Sequence, residues 1–230
     1  MDGPRYAIYF APSPDTALWR FGSAVLGYDA STGDDTNVLV PEGFSQAEWR
    51  DLTAEPRRYG FHATLKAPFR LAQGRREDEL LETLRHFAHG QPAVETGLAV
   101  AALGAFVALV PPGRPPALST LADAAVDAFE PFRAPPSPAE RLRRNPDAMT
   151  PRQRELFERF GYPYVREQYR FHMTLTGPLG VHADAIAARL RALAAQRLGD
   201  DPVRVNHVAL FRQEPGERFR IVAHAALGEG

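Results

Sequence analysis

One stretch of the sequence occurs twice, and this repeat limits how the chain can fold. Residues 59–69 (YGFHATLKAPF) and 169–179 (YRFHMTLTGPL) agree at six of eleven positions, with the copies 110 residues apart. Such an internal repeat indicates two related halves. In each copy apolar and polar residues alternate, which is typical of a strand with one face toward the core and the other toward solvent. We therefore expect two strands whose polar faces meet across one cleft.

The polar faces carry residue types suited to acid–base chemistry on an anion. Two histidines, three threonines and one lysine lie on them: His62, Thr64 and Lys66 in the first copy, and His172, Thr174 and Thr176 in the second. An imidazole titrates near neutral pH, so one histidine can accept a proton while the other donates one. Threonine hydroxyls and a lysine ammonium can hold phosphoryl oxygens. The pattern predicts phosphoester chemistry, with each histidine and the threonine two residues after it as the catalytic set.

Each of these residues also has an ordinary structural explanation. A strand histidine can be a hydrogen-bonded core residue, and threonine is a common strand former. The matched surroundings of the two copies favour the catalytic interpretation for both histidines and their threonines. Lys66 is the only lysine beside 26 arginines, which indicates a specific role in substrate binding, and Thr176 occupies the equivalent place in the second copy. Arginines in the segment 138–162 are further candidates for phosphate contact, because this segment directly precedes the second motif.

The other five histidines lack a partner in the repeat and lack a spacing typical of metal ligands. They lie at predicted helix ends, in turns or in predicted strands: His86, His89, His182, His207 and His224. The chain has no cysteine, which excludes disulfides, a thiol nucleophile and thiolate metal sites. We expect neither a metal nor another cofactor.

Turn and capping signals predict a mixed α+β arrangement. Predicted strands cover residues 6–11, 60–69, 98–103, 105–110, 170–176, 203–211 and 219–227, and the longer predicted helices cover 77–89 and 183–198. Prolines border the segment 111–138, and Ser137 and Thr150 each cap a further helix that has proline at its first position. We expect a single bilobal domain over residues 1–230. Lobe one covers about 1–112, connecting helices about 113–165 and lobe two about 166–230, with an exchange of strands between the lobes left open.

The overall composition excludes several classes of function. With 44% hydrophobic residues and a net charge of −1, the chain is neither disordered nor basic enough to coat nucleic acid. The longest apolar stretch, residues 98–110, is too short for a membrane helix, which needs about 20 residues. Residues 1–10 (MDGPRYAIYF) do not resemble a signal peptide. We expect a cytoplasmic protein without a membrane partner.

The paired motifs resemble those of the two-histidine (2H) phosphoesterase superfamily, which includes RNA 2′,3′-cyclic phosphodiesterases and 2′–5′ RNA ligase-like proteins. Further stretches resemble one bacterial branch associated with phosphonate metabolism: residues 5–12, 57–69, 103–111, 171–179 and 210–213. The resemblance implies a bilobal α+β fold, with antiparallel sheets facing a central cleft and helices outside. It also implies metal-independent catalysis by His62, His172, Thr64 and Thr174, and it places Tyr9 beside the cleft as a substrate contact.

We predict a phosphoesterase that hydrolyses a cyclic phosphodiester, either a 2′,3′-cyclic nucleotide or a phosphoribosyl cyclic phosphate of phosphonate breakdown. One histidine activates water and the other protonates the departing oxygen, and the pseudo-symmetry leaves open which is which. A small nucleotide or ribosyl phosphate is the favoured partner, and RNA is less favoured because the chain has no excess of basic residues. Two alternatives remain: an RNA end-processing or ligase-like enzyme, and a protein that binds a phosphorylated ligand without turnover.

Overall fold

A central antiparallel sheet organises the fold. The computed structural model describes residues 3–199 and 201–228. Outside the described residues lie Met1, Asp2, Asp200, Glu229 and Gly230, and with them the first two residues of the stretch 1–10 considered above. The described strands are β1 (Arg5–Phe10), β2 (Tyr28–Asp29), β3 (Asp34–Asp35), β4 (Ala63–Phe69), β5 (Val94–Thr96), β6 (Ala99–Leu103), β7 (Phe106–Val110), β8 (Met173–Thr174), β9 (Val203–Val205), β10 (His207–Gln213) and β11 (Arg220–Ala226). Seven of them form one sheet in the order β11-β10-β1-β4-β8-β7-β6, and the other four pair as β2 with β3 and β5 with β9.

Helices pack against this sheet and between its connections. The described α-helices are α1 (Ala17–Leu26), α2 (Gln46–Leu52), α3 (Ala54–Arg57), α4 (Glu77–His89), α5 (Pro116–Phe129), α6 (Pro138–Arg144), α7 (Pro151–Phe160) and α8 (Ala183–Arg197). Short 3₁₀ helices cover Glu130–Phe132, Pro146–Ala148, Arg166–Gln168 and Gly180–His182. Helix α4 packs on β10 and β11, α5 packs on β4, and α8 packs on β6 and β7. Over residues 3–199 and 201–228, no helix combines the length and the apolar character that a bilayer crossing requires.

The α+β class expected from the sequence is confirmed, and the strand pairing shows how the two motifs meet. Strands β10 and β11, from the end of the chain, extend the sheet beside β1 and β4, while β6 and β7 lie beside β8. The two parts of the sheet join where β4 meets β8, at the pair Ala63 and Met173. The chain therefore exchanges strands between its earlier and later parts, and both motifs lie at the centre of one continuous sheet.

Two predicted strands are shorter than expected, for local reasons. The second motif forms ladder pairs only at Met173 and Thr174, because the amides of Leu175 and Thr176 both turn to one acceptor, the carbonyl of Val107. The stretch predicted as one strand over 203–211 is divided at Asn206, and its first part, β9, pairs with β5 outside the central sheet. The alternation of residue types does not record these changes of hydrogen-bond partner.

The two helices that follow the proline-bordered segment begin as predicted. Ser137 accepts a hydrogen bond from the amide of Glu140, whose carboxylate accepts one from the Ser137 amide, and Thr150 forms the same capping box with Gln153. Helix α7 is then fixed by a small apolar cluster separate from the main core: Val126, Leu156, Phe160 and Val165, with Tyr162 packed against it. This cluster docks α7 on α5 and holds the chain after α7 close to the second motif.

Candidate active site

The same local device holds His62 and His172. His62 Nδ1 lies 2.9 Å from Gly60 O, and His172 Nδ1 lies 2.8 Å from Arg170 O, so each ring contacts the carbonyl two residues earlier. Because a carbonyl oxygen only accepts hydrogen bonds, each Nδ1 carries the proton. The Nε2 atom of each imidazole therefore keeps its lone pair for chemistry. His62 Nε2 is 3.3 Å from Thr64 Oγ1.

Gly60 has a backbone requirement in the first copy. Its φ is +76°, in the left-handed region that favours glycine, and a Cβ placed there would lie 2.6 Å from the Cβ of Ala30. This tight turn presents the Gly60 carbonyl to the imidazole of His62. The second copy reaches the same hydrogen bond with Arg170 at the equivalent position, so the shared element of the two copies is the carbonyl contact and not the glycine.

The sheet brings the two motifs side by side at the junction of β4 and β8. Ala63 pairs with Met173 in antiparallel register. Each histidine directly precedes its paired residue and each threonine directly follows it. Both histidines and both threonines therefore flank this one pair, at the centre of the sheet.

Two adjoining cavities lie along this junction, and together they are called the cleft below. The cavity that contains His62 and Thr174 has a volume of about 240 Å³, and the cavity that contains His172 has a volume of about 430 Å³. Four residues line both cavities: Thr64, Ala67, Phe106 and Tyr162. The cleft is of the size that proteins use for small ligands.

Burial keeps both imidazoles neutral at neutral pH. Desolvation lowers the pKa of His62 to about 4, with a smaller lowering from the positive charge on His172 and a partial rise from the hydrogen bond to Gly60. Desolvation also lowers the pKa of His172, and its bond to the Arg170 carbonyl opposes this effect. A bound anion favours the charged imidazole, so it raises both pKa values and permits one ring to carry a second proton.

Tyr9 lies directly against His62. The two rings are stacked, with centroids 3.7 Å apart and planes 19° from parallel, and Tyr9 is only 1% exposed. Burial raises the pKa of the Tyr9 phenol well above its usual value, so the group stays protonated. Tyr9 lines the cavity of His62 and fixes the orientation of that imidazole. A direct contact between Tyr9 and substrate stays a prediction.

Lys66 does not face the cleft, which corrects the expectation that it contacts substrate. Register shifts in the pairing of β1 with β4, on both sides of the pair Ile8–Lys66, interrupt the alternation after Thr64. The Lys66 side chain is therefore turned to the opposite face of the sheet, where only 3% of it is exposed. There its ammonium group forms an ion pair with Glu130 and lies 3.3 Å from the carbonyl oxygen of Val126. Lys66 fastens α5 and the turn after it to the sheet.

Thr176 lines the cavity of His62, but its hydroxyl already has a structural partner. Thr176 Oγ1 accepts a hydrogen bond of 3.0 Å from the amide of Val107, and the residue is 1% exposed. This bond attaches the end of the second motif to β7. Thr64 and Thr174 are only partly buried and stand in the cleft as expected. A contact between Thr176 and substrate stays a prediction.

Several residues of the cleft lie outside the repeated motifs. Arg5 and Arg144 line the cavity of His62, and Phe106 and Tyr162 line both cavities. Arg144 lies in the segment 138–162, from which an arginine was expected, although the sequence does not indicate which one. Within the described ranges, no group of three or more His, Asp or Glu side chains is arranged to hold a metal ion.

The chain has an α+β fold in which two histidine–threonine elements lie along one cleft. The chain belongs to the family described as "Protein of unknown function (DUF1045)", whose profile matches residues 64–220.

Two curated relatives share the name "Ribose 1,5-bisphosphate phosphokinase PhnN". The protein from Janthinobacterium sp. (strain Marseille) is 38% identical over 222 residues, which is 94% of this chain and 49% of the relative. The protein from Laribacter hongkongensis (strain HLHK9) is 40% identical over 218 residues, which is 94% of this chain and 50% of the relative. The chain thus spans about half the length of these curated relatives.

Solved structures with a similar arrangement have low sequence identity to this chain. One described as "Crystal structure of phosphoesterase" aligns over 99% of this chain and all of the other, with TM-score 0.45 and 13% identity. E. coli LigT complexed with 3'-AMP aligns over 98% of this chain and 99% of the other, with TM-score 0.45 and 14% identity. The chemistry proposed below is accordingly taken from the residues of the cleft.

Proposed function

We propose that the protein hydrolyses a cyclic phosphodiester attached to a ribosyl group, by general acid–base catalysis between His62 and His172 and without a metal ion. One observation carries the proposal: both imidazoles donate from Nδ1 to a backbone carbonyl, so each keeps an unprotonated Nε2 that can accept a proton, and that of His62 also lies 3.3 Å from the Thr64 hydroxyl. A base and an acid on the two sides of a phosphorus atom are what opening a cyclic phosphodiester requires.

The two histidines are assigned different roles because their surroundings differ. His62 is the more strongly shifted of the two and is stacked on buried Tyr9, so it carries a second proton less readily. We assign His62 as the base and His172 as the acid. His62 Nε2 removes a proton from the attacking water, whose oxygen forms the new P–O bond. The bond between phosphorus and one ribose hydroxyl oxygen of the cyclic phosphate breaks, and His172 Nε2–H protonates that departing oxygen.

The threonines have a complementary task in this reaction. Thr64 and Thr174 line the same cavity as His62, and their hydroxyls are neutral donors for the non-bridging phosphoryl oxygens. Neutral donors suit a singly charged cyclic phosphodiester because they hold its oxygens without adding a counter-charge that must be desolvated. The Thr64 hydroxyl, 3.3 Å from His62 Nε2, is also near enough to orient the attacking water.

The ribosyl part of the proposal is supported by the curated relatives. Their printed name refers to phosphorylation of ribose 1,5-bisphosphate. Lys66 is the only lysine of this chain and follows Leu65, so the sequence contains no G-x-x-x-x-G-K-[ST] loop for nucleoside triphosphate. We therefore propose that this chain supplies a ribose phosphate by hydrolysis and does not itself perform the phosphorylation in that name. The resemblance to a branch associated with phosphonate metabolism agrees with this role.

The test is hydrolysis of a panel of cyclic phosphodiesters, followed by ³¹P NMR. The panel contains 2′,3′-cyclic nucleotides and 1,2-cyclic phosphates of ribose, each with and without EDTA. We expect turnover that resists EDTA, and a loss of about 100-fold or more in His62→Ala and in His172→Ala. Full activity in both variants, or no turnover of any cyclic phosphodiester, would overturn the proposal. Loss of wild-type activity with EDTA would overturn its metal-free part.

A further inference from the structure

A small concavity opens beside the cavity of His62 and is rich in arginine. It shares Arg5, Pro68 and Arg144 with that cavity. Five arginines and one carboxylate line it: Arg5, Arg70, Arg133, Arg143, Arg144 and Glu140. Such an excess of guanidinium groups in one walled space creates a strong positive potential next to the reacting centre.

Over residues 3–199 and 201–228, two of these arginines have carboxylate partners and three do not. Arg70 forms an ion pair with Glu140. Arg133 forms an ion pair with Glu130, and the carboxylate of Glu130 also pairs with Lys66. For Arg5, Arg143 and Arg144, no carboxylate within the described ranges lies at ion-pair distance.

Arg5 and Arg144 make their direct contacts with neutral groups. Arg5 Nε donates to the amide oxygen of Gln213 at 2.8 Å, and its guanidinium lies 5.3 Å from the centre of the Phe219 ring. The Arg144 guanidinium lies 4.9 Å from the centre of the Tyr162 ring. Burial lowers the pKa of Arg5, and the charges on Arg143 and Arg70 lower it further. Half-buried cations with neutral partners are favourable places for an anion to bind.

The fold supplies these three cations from two separate elements. Arg5 is the first residue of β1, whereas Arg143 and Arg144 end α6, where the chain turns at Asn145 with φ +46°. Cations at a helix C-terminus are stabilised by the helix dipole, which is a sufficient structural reason for Arg143 and Arg144. It does not explain Arg5, which lies on the sheet and reaches the same space. The convergence of the two elements therefore points to a ligand.

We propose that Arg5, Arg143 and Arg144 bind a terminal phosphomonoester of the substrate, so the cleft accepts a doubly phosphorylated ribosyl ligand. These three residues are called the arginine subsite. The inference rests on the proposed function: the cyclic phosphodiester lies between the histidines, and the second phosphate extends past His62 into the subsite. Guanidinium groups bind phosphate oxygens in pairs and remain charged at all physiological pH values.

This arrangement divides the two phosphates by charge. The cyclic diester carries one negative charge and is held by neutral threonines, whereas the terminal monoester carries up to two and is held by three cations. A substrate that lacks the terminal phosphate leaves the arginine subsite unused, so most of its loss is in binding. The substrate class is therefore a 5-phosphorylated ribose that carries a cyclic phosphate, and the reaction yields a sugar bisphosphate.

The experiment compares adenosine 2′,3′-cyclic phosphate with and without a 5′-phosphate. In the wild type we expect the 5′-phosphate to raise kcat/KM by about tenfold or more, mainly through KM. Arg5→Gln and Arg144→Gln should each remove most of that gain, measured as the ratio of kcat/KM between the two substrates within each variant. Arg141→Gln is the matched control, because Arg141 is on the same helix but is paired with Glu158 and lies outside the concavity. It should keep the full preference.

Binding of ribose 5-phosphate, measured by calorimetry, separates the failure of this inference from the failure of the proposed function. If no cyclic phosphodiester is hydrolysed, ribose 5-phosphate should still bind the wild type and Arg141→Gln and bind Arg144→Gln about tenfold more weakly. If cyclic substrates are hydrolysed with the same efficiency with and without the 5′-phosphate, the hydrolase proposal stands and the arginine subsite is refuted. Equal binding by wild type and Arg144→Gln also refutes it.

Discussion

Replacing His172 with alanine is expected to stop the hydrolysis of a cyclic phosphodiester and to spare an ester whose leaving group needs no proton. The ribose hydroxyl oxygen that leaves phosphorus is a poor leaving group, so its departure depends on a proton from the general acid. A p-nitrophenolate departs without one. The dependence on His172 should therefore vanish with the p-nitrophenyl ester, whereas the dependence on His62, which activates water, should be the same for both substrates.

The structure sets the size of the loss on the cyclic substrate. General acid catalysis contributes roughly 100- to 10,000-fold, or about 3 to 5 kcal/mol in the activation free energy. Tyr162 and Tyr169 line the same cavity as His172, but burial raises the pKa of both phenols and makes them poorer acids. These two phenols are too weakly acidic to replace the imidazole, so we expect a loss of about 1,000-fold.

The assay measures kcat/KM for His62→Ala and His172→Ala with a ribosyl cyclic phosphate and with a p-nitrophenyl phosphodiester. His207→Ala is the control, since His207 lies in β10, away from the cleft. An equal loss on both substrates in His172→Ala would show that His172 is not the acid. Selective rescue of His62→Ala by the p-nitrophenyl ester would show that the two roles are reversed.

Three further predictions follow from the site. Lys66→Met should lower the free energy of unfolding by about 2 kcal/mol, because Glu130 loses one of its two cations, while kcat/KM stays unchanged. If denaturation assays showed unchanged stability and kinetic assays showed a raised KM, Lys66 would instead be a substrate contact. Gly60→Ala should cost about 2 kcal/mol or more and lower kcat, since the left-handed turn and the 2.6 Å approach to Ala30 disfavour a side chain and the His62 anchor moves; wild-type values of both would contradict this account. The pH profile of kcat/KM should peak on the acid side of 6.5, because activity requires neutral His62, with a pKa of about 4, and protonated His172, whose pKa is also lowered. The profile of kcat should lie at higher pH, because the bound anion raises the pKa values of both histidines. An optimum of kcat/KM above pH 8 would be inconsistent with these roles.

The candidate catalytic pair can be recognised in the sequence because its motif occurs twice. One His-x-Thr element is a weak signal, but the second copy repeats its neighbours, including the apolar residues that orient the strand. The structure brings both elements to one cleft, where they meet at the pair Ala63–Met173. Alternation within a strand predicts which residues share a face, but not which strand lies beside it.

Lys66 shows where the same reasoning fails. Strict alternation puts it on the face of Thr64, and the register shifts on either side of Ile8–Lys66 reverse its direction. The pattern of apolar and polar residues does not reveal this bulge. The position that the bulge turns to the opposite face holds a lysine, which is polar as alternation expects and which pairs with Glu130 on that face. The arginine subsite was out of reach for a different reason. Arg5 and Arg144 are 139 positions apart, and only the docking of α6 beside β1 makes them neighbours.

The exchange of strands has a consequence for how the protein is made. The strand that carries Tyr9 has β4 on one side and β10 on the other, and β10 is synthesised almost 200 residues later. During synthesis, the edge of β1 beside the region of His62 therefore stays unpaired until the hairpin of β10 and β11 has left the ribosome. A chain cut between β7 and β8 should therefore give fragments that aggregate alone and regain structure only when they are mixed, because neither contains all the strands of either side of the sheet.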